Sequence, residues 1–310
     1  MIKDLRKVVK MISKPFSVNT LIGWSGQSTA IPFYHTISDE PTPHISPIYP
    51  VRNTAQFEKD LDFFLAHFEP VSLSDLLESK PSKVKPRIHL TFDDGLRQVY
   101  DTALPLLLKK GIPATVFLNS AFIDNQGLMY RYKAALLQGK NPSNNYLGYN
   151  YDQEEILDTQ ALNSGLSFKK FLEEYKPYLT TSQIKSMAEQ GITFGAHSAT
   201  HPVFQNLTAE DQIQQVLIDK TALEQKLDLS INCFAFPFSD LAIPSTFFSS
   251  MHANGISYTF GGSGLKIDIP SNFPRFPMEK TIVDATHIVR EEYAWFLFKR
   301  LFGKHKMKRN

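Results

Sequence analysis

A chain of 310 residues with 42% hydrophobic content can bury one large core or two modest ones. Its 33 basic and 31 acidic residues leave a net charge of +2, which gives no charge-based case for binding nucleic acid. A single cysteine, Cys233, excludes an internal disulfide and suits a reducing compartment; in an apolar run it reads as a small buried hydrophobe.

Residues 1–30 read as an amphipathic N-terminal segment. Leu5, Val8, Val9 and Ile12 recur at helical spacing, while Lys3, Lys7, Lys10 and Lys14 share another face. No unbroken apolar stretch follows the initial charges, and none along the chain is long enough to span a bilayer. The expectation is therefore a cytoplasmic protein without signal peptide or transmembrane helix. Strand-like and helical runs then alternate. Ile31 to His35 reads as a strand, followed by a helix from Gln56 to Phe68. Ile88 to Phe92 is the next strand, and its helix runs through Leu104 to Lys110 and stops at Gly111. Ala114–Leu118 is again strand-like. A helix from Ser182 to Glu189 precedes the strand Ile192–Ala196, and Thr208-x-x-Asp211 opens a helix carrying Ile213, Val216, Leu217, Leu223 and Leu227 inward. Strands at 233–236 and 256–260 complete the series. Such alternation predicts an α/β fold with a parallel sheet, whose chemistry gathers where strands end.

The segment 122–178 breaks this rhythm and reads as an insertion. Its Asn- and Tyr-rich centre, 144–151, suits either stacking on sugar rings or a locally packed excursion. Residues 286–310 form a C-terminal helix and basic tail, in which aromatic residues run into Lys299, Arg300, Lys304, Lys306, Lys308 and Arg309. Both termini allow peripheral contact with an anionic membrane surface; the alternative is helices packed on the body with a solvated tail.

Two motifs carry chemistry. Thr91-Phe92-Asp93-Asp94-Gly95 lies where a strand ends, and a turn at Gly95 can bring both carboxylates to one mouth. One can then ligate a cation while the other stays free as a base. His197-Ser198-Ala199-Thr200-His201-Pro202 follows another strand, and histidines four apart can reach one ion. Neither motif is decisive alone, since Asp-Asp-Gly also makes exposed turns. Together they suit one divalent metal ion with an open coordination position. Zinc fits two imidazoles and a carboxylate; cobalt, nickel and iron fit them too.

These motifs, with Tyr34-His35 and Phe234-Ala235-Phe236-Pro237-Phe238, resemble the polysaccharide deacetylase family, the NodB-homology carbohydrate esterases. The likeness runs from about Ile31 to Arg275 and implies one catalytic domain, 31–285, built as a distorted (β/α)7 barrel. It implies hydrolysis of an N-acetyl group on a sugar of a glycan or glycan precursor. By motif position Asp94, His197 and His201 are the metal ligands, Asp93 is the base, and Phe238 offers a backbone N–H to the substrate. The family's arginine two residues before the Pro of that strand is Ala235 here, so Arg275 is expected to supply the guanidinium. The family's late Leu-His motif is also missing. His252 and His287 fall in predicted helices; His35 on the first strand is the better candidate for lining the site, the alternative being a buried structural histidine. Ser239-Asp240 replaces a Gly-containing turn. Competing readings are an amidase or imidase on a non-sugar substrate and an inactive carbohydrate-binding relative.

Overall fold

The computed structural model describes residues 2–78, 85–279 and 283–309. Its centre is a parallel sheet of eight short strands: β1 (Pro32–Tyr34), β2 (Leu90–Phe92), β3 (Ala114–Leu118), β4 (Thr193–Ala196), β5 (Cys233–Ala235), β6 (Tyr258–Phe260), β7 (Asn272–Phe273) and β8 (Phe276–Pro277). Their spatial order is β7-β6-β5-β4-β3-β2-β1-β8. A small parallel sheet of Thr29–Ala30, Arg87–Ile88 and Glu69–Pro70 extends the entries of β1 and β2.

Both faces of the sheet are buried, and side-chain alternation divides them. On β3, Val116 and Leu118 join the large core shared with the covering helices, whereas Phe117 points into a second cluster with Ile31, Cys233, Ala235 and Phe260. Cys233 is thus a filler of the barrel interior, and burial pushes its thiol up to about 12. Gly195 of β4 is required by the same packing. A Cβ there would lie 2.6 Å from the Phe117 ring and 2.7 Å from the Cys233 sulfur.

The periodicity gives six strands and the family resemblance implies seven; the last two of the eight arise from one segment feeding both edges. β7 pairs with β6 and β8 pairs with β1, with only Pro274 and Arg275 between them. The sheet curls towards closure but leaves a seam at Arg275, where Pro274 and Pro277 have no N–H to donate across the gap. Helices follow the strands much as the periodicity implies: Thr54–His67, Leu104–Lys110 with Gly111 in the left-handed conformation, Thr181–Glu189, and Ala209–Leu227 capped by Thr208. Val216, Leu223 and Leu227 are buried on the last of these, but so are Gln212 and Asp219.

Segment 122–178 folds mainly as helices Tyr130–Lys140, Glu154–Asn163 and Phe168–Tyr175 around an aromatic cluster of its own. Tyr146 is buried there against Tyr149, so the Tyr-rich run is locally packed. The terminal helices, Ile2–Ser13, Val18–Ser25 and Ala285–Leu301, pack on one another. Among the described residues no helix is long and apolar enough to cross a membrane.

Candidate active site

The strand exits bring Asp93, Asp94, His197, His201, Phe238 and His35 into one cleft of about 380 Å3. Phe33, Tyr49, Met129, Arg131, Tyr132 and Phe236 also line it. Backbone conformation explains how adjacent acids share this mouth. Asp94 has φ 70° and Gly95 φ 62°, so the chain leaves β2 through two left-handed residues. His201 and Phe238 are also left-handed, with φ 59° and 57°. Such strain at several non-glycine positions is the kind of cost that clusters at functional sites.

Asp94 Oδ1 lies 3.3 Å from Nε2 of both His197 and His201, and one ligand atom from each of the three residues falls within 4.8 Å of the others. His197 Nδ1 donates to the Ala235 carbonyl at 2.8 Å, which leaves Nε2 with its lone pair towards the cluster. Burial lowers His201 from its ordinary value, favouring the neutral ring a ligand must be. Asp94 Oδ1 is buried without a hydrogen-bond partner, while Oδ2 accepts from Tyr132 Oη at 2.6 Å. An orphaned carboxylate oxygen facing two imidazole nitrogens fits a divalent cation.

Asp93 is held differently. Arg275 donates from Nη1 to Asp93 Oδ1 at 2.7 Å and from Nη2 to Oδ2 at 2.9 Å, a two-pronged grip. The guanidinium also donates to Thr91 Oγ1 at 3.0 Å and to the Gly261 carbonyl at 3.2 Å, and it lies against the Phe33 and Phe117 rings. Burial is the largest influence and raises the Asp93 carboxyl, but Arg275, His197 and His35 together overcome it and hold the group below its usual value, hence ionised.

His35 faces the cleft with Nδ1 2.5 Å from Glu279, and Glu279 also accepts from the backbone N–H groups of His35 and Thr36. Tyr49 stacks on its ring at 4.6 Å. Burial disfavours the charged imidazole, but Glu279 overcomes this, with help from Asp94 and Asp93, and lifts His35 to about 9. Phe238 stands at the lip, partly exposed, with its ring edge-on to His201 at 4.9 Å.

Three contributors escaped the sequence reading. Tyr132 comes from the helix Tyr130–Lys140, ahead of the Tyr-rich stretch 144–151 that stands out in the sequence. Glu279 follows β8 as Asp93 follows β2, so its place after a strand was a usable signal. Asp219 lies mid-helix and accepts from the backbone N–H of His197 at 2.9 Å and of Ser120 at 2.7 Å. It thereby ties the exits of β3 and β4, and burial raises it to about 7. A lone acid on an amphipathic helix gives no sequence signal for this. His252 and His287 lie in the helices Ser245–Ala253 and Ala285–Leu301, outside the cleft lining.

A curled parallel sheet with acids and histidines at its exits places the chain among distorted-barrel proteins whose chemistry sits at the strand ends. The model of the polysaccharide deacetylase family matches residues 80–259, more than half of the chain, and the chain belongs to that family. It is accordingly a hydrolase of N-acetyl amide bonds on sugars. His35, Arg275 and Glu279 lie outside the matched span. No curated protein matches the chain. Its fold is similar to that of the acetate-bound deacetylase PplD of Streptococcus pyogenes, with TM-score 0.60 and 15% identity over 85% of this chain and 97% of that one. A de-N-acetylase of Aggregatibacter actinomycetemcomitans gives 0.59 and 13%, over 84% and 99%. IcaB of Ammonifex degensii gives 0.53 and 17%, over 86% and 96%.

Proposed function

We propose that the protein removes the acetyl group from an N-acetylated sugar of a glycan, with a divalent cation held by Asp94, His197 and His201. The observation carrying this reading is that one cleft holds that trio, an ionised Asp93 locked by Arg275, and a His35–Glu279 pair. A bound cation, with zinc the best match to the donors, would lower the pKa of a water molecule and polarise the acetamide carbonyl.

The chain's own groups do the rest. Asp93 takes a proton from the attacking water, and Arg275 keeps its carboxylate charged and oriented for that transfer. The Phe238 backbone N–H stabilises the charge that develops on the carbonyl oxygen. As the C–N bond breaks, His35 gives its proton to the departing amine, and Glu279 keeps His35 charged beforehand. Acetate and a free amino sugar result. The aromatic walls suit the apolar faces of a pyranose ring, with few polar groups fixing its orientation. Retention of Asp93 beside the trio disfavours a binding-only role, which has no use for a base.

The test is acetate release from N-acetylglucosamine oligomers by protein stripped with chelator and then reloaded with zinc. Activity that disappears and returns supports the reading. Zinc-loaded protein that releases acetate from no N-acetylated glycan overturns it.

A further inference from the structure

Eight of the fifteen exposed large apolar side chains among the described residues concentrate at the two termini, while the other seven are spread along the chain. Leu5, Val8, Met11, Ile12, Phe16, Trp24, Leu301 and Phe302 all come from the first 25 or the last 10 residues. The Leu5–Val8–Val9–Ile12 stripe seals only partly against the body: Val9 is buried, whereas Ile12 remains 63% exposed. Trp24 is 54% exposed and Leu301 81%. Ile12, Phe16, Trp24, Phe298 and Leu301 line one open groove between the N-terminal helices and the end of the C-terminal helix. A continuous apolar groove built by three helices differs from singly scattered surface residues and marks an interaction site.

Charge identifies what the groove fits. Residues 5–25 carry four Lys or Arg and no acid, and residues 285–309 carry seven against two acids. Those two acids, Glu291 and Glu292, are held by Arg6 at 2.7 and 2.5 Å, and Glu291 also by Lys10 at 3.1 Å. Among the described side chains, stretches 5–25 and 285–309 therefore present exposed Lys7, Lys14, Arg300, Lys304, Lys306 and Lys308 and no exposed acid, with Asp284 exposed just before the second. An apolar groove lined by a tryptophan and Arg300, on terminal segments that carry further exposed lysines, has the composition of a face lying in the interface of an anionic bilayer.

From this juxtaposition we infer that the terminal helices form a docking face for an anionic lipid bilayer. Ile12, Phe16, Trp24, Leu301 and Phe302 enter the headgroup–acyl boundary while the lysines pair with lipid phosphates. The groove shares no lining residue with the catalytic cleft, so docking leaves the cleft's own groups in place. The inference stands independently of the reaction proposed above.

Co-sedimentation of the full chain with vesicles tests it. The wild type should sediment with phosphatidylglycerol–phosphatidylcholine vesicles and remain in the supernatant with pure phosphatidylcholine. High salt should weaken the binding by about tenfold or more, as exposed charges are screened. Trp24 emission should shift to the blue on binding, a change absent in Trp24→Phe, which keeps Trp295 as an internal reference. The exposed-site variant Ile12→Glu/Leu301→Glu should lose vesicle binding while its metal content matches that of the wild type. No sedimentation with anionic vesicles overturns the inference. So does equal binding by the Glu variant, or a lipid-free dimer by light scattering that this variant abolishes.

Discussion

Arg275, at the seam between the sheet's two edges, holds both carboxylate oxygens of Asp93, which stands beyond the end of β2 on the other side of β1. One side chain thus completes an almost closed barrel and fixes the charge of the proposed base. Removing it leaves a buried carboxylate without compensation.

Arg275→Met is expected to destabilise the fold by about 3–5 kcal/mol, the usual cost of breaking a buried ion pair from one side. Arg275→Lys keeps the charge but not the fork, so it should recover much of the stability and little of the turnover. Urea unfolding beside acetate release separates the two. A lysine variant with wild-type kcat would reduce Arg275 to a structural element.

The two adjacent acids should behave unlike each other. Asp93→Asn should retain bound metal and lose roughly 10²–10⁴ in kcat, the range expected for a lost general base. Asp94→Asn, like His201→Ala, should lose the metal as well. Elemental analysis of purified variants, with turnover measured alongside, decides this; full activity in Asp93→Asn would remove it from the proton-transfer role.

How much of this was readable in advance depended on distance along the chain. Asp93, Asp94, His197 and His201 sit in short motifs directly after strands, and strand periodicity alone places such residues at a common mouth. Arg275 was reachable only through the family resemblance, whose arginine is replaced here by Ala235, so that a base beside a metal-bound carboxylate still needed a donor. Tyr132 and Asp219 were not legible. Their roles depend on how the helices Tyr130–Lys140 and Ala209–Leu227 sit over the strand exits, which is set by tertiary packing rather than by local pattern. The exposed apolar residues at the termini defied the pattern in another way. An amphipathic stripe normally predicts a sealed interface, yet here Val9 is covered while Ile12 stays open.

Tyr132 should tune the metal site without ligating it. Its hydroxyl donates to the Asp94 oxygen that does not face the histidines. Tyr132→Phe should weaken metal affinity by about 10–100-fold, as loss of a ligand's outer hydrogen bond commonly does. Competition against a fluorescent zinc chelator measures this directly, and unchanged affinity would show Asp94 to be oriented by its backbone alone.

The His35–Glu279 pair makes the sharpest statement about pH. His35 stands at about 9 in the folded chain against an ordinary 6.5, so the folded state binds its proton more tightly than the unfolded one. The pair's contribution to stability is therefore complete below about 6.5, and it is lost as pH rises through about 9. Activity has the same sign if His35 is the proton donor: turnover is retained while the imidazole is charged and falls on the alkaline side. Glu279 is the largest influence raising His35, with Asp94 and Asp93 adding to it and burial opposing all three. Glu279→Gln removes the largest of these and keeps the shape, so the alkaline limb of kcat should move towards neutral pH. His35→Gln should abolish that limb and most of the turnover while leaving metal content unchanged. An alkaline limb that stays in place in Glu279→Gln would mean that another group supplies the proton, and His35 would then be a wall of the cleft rather than its acid.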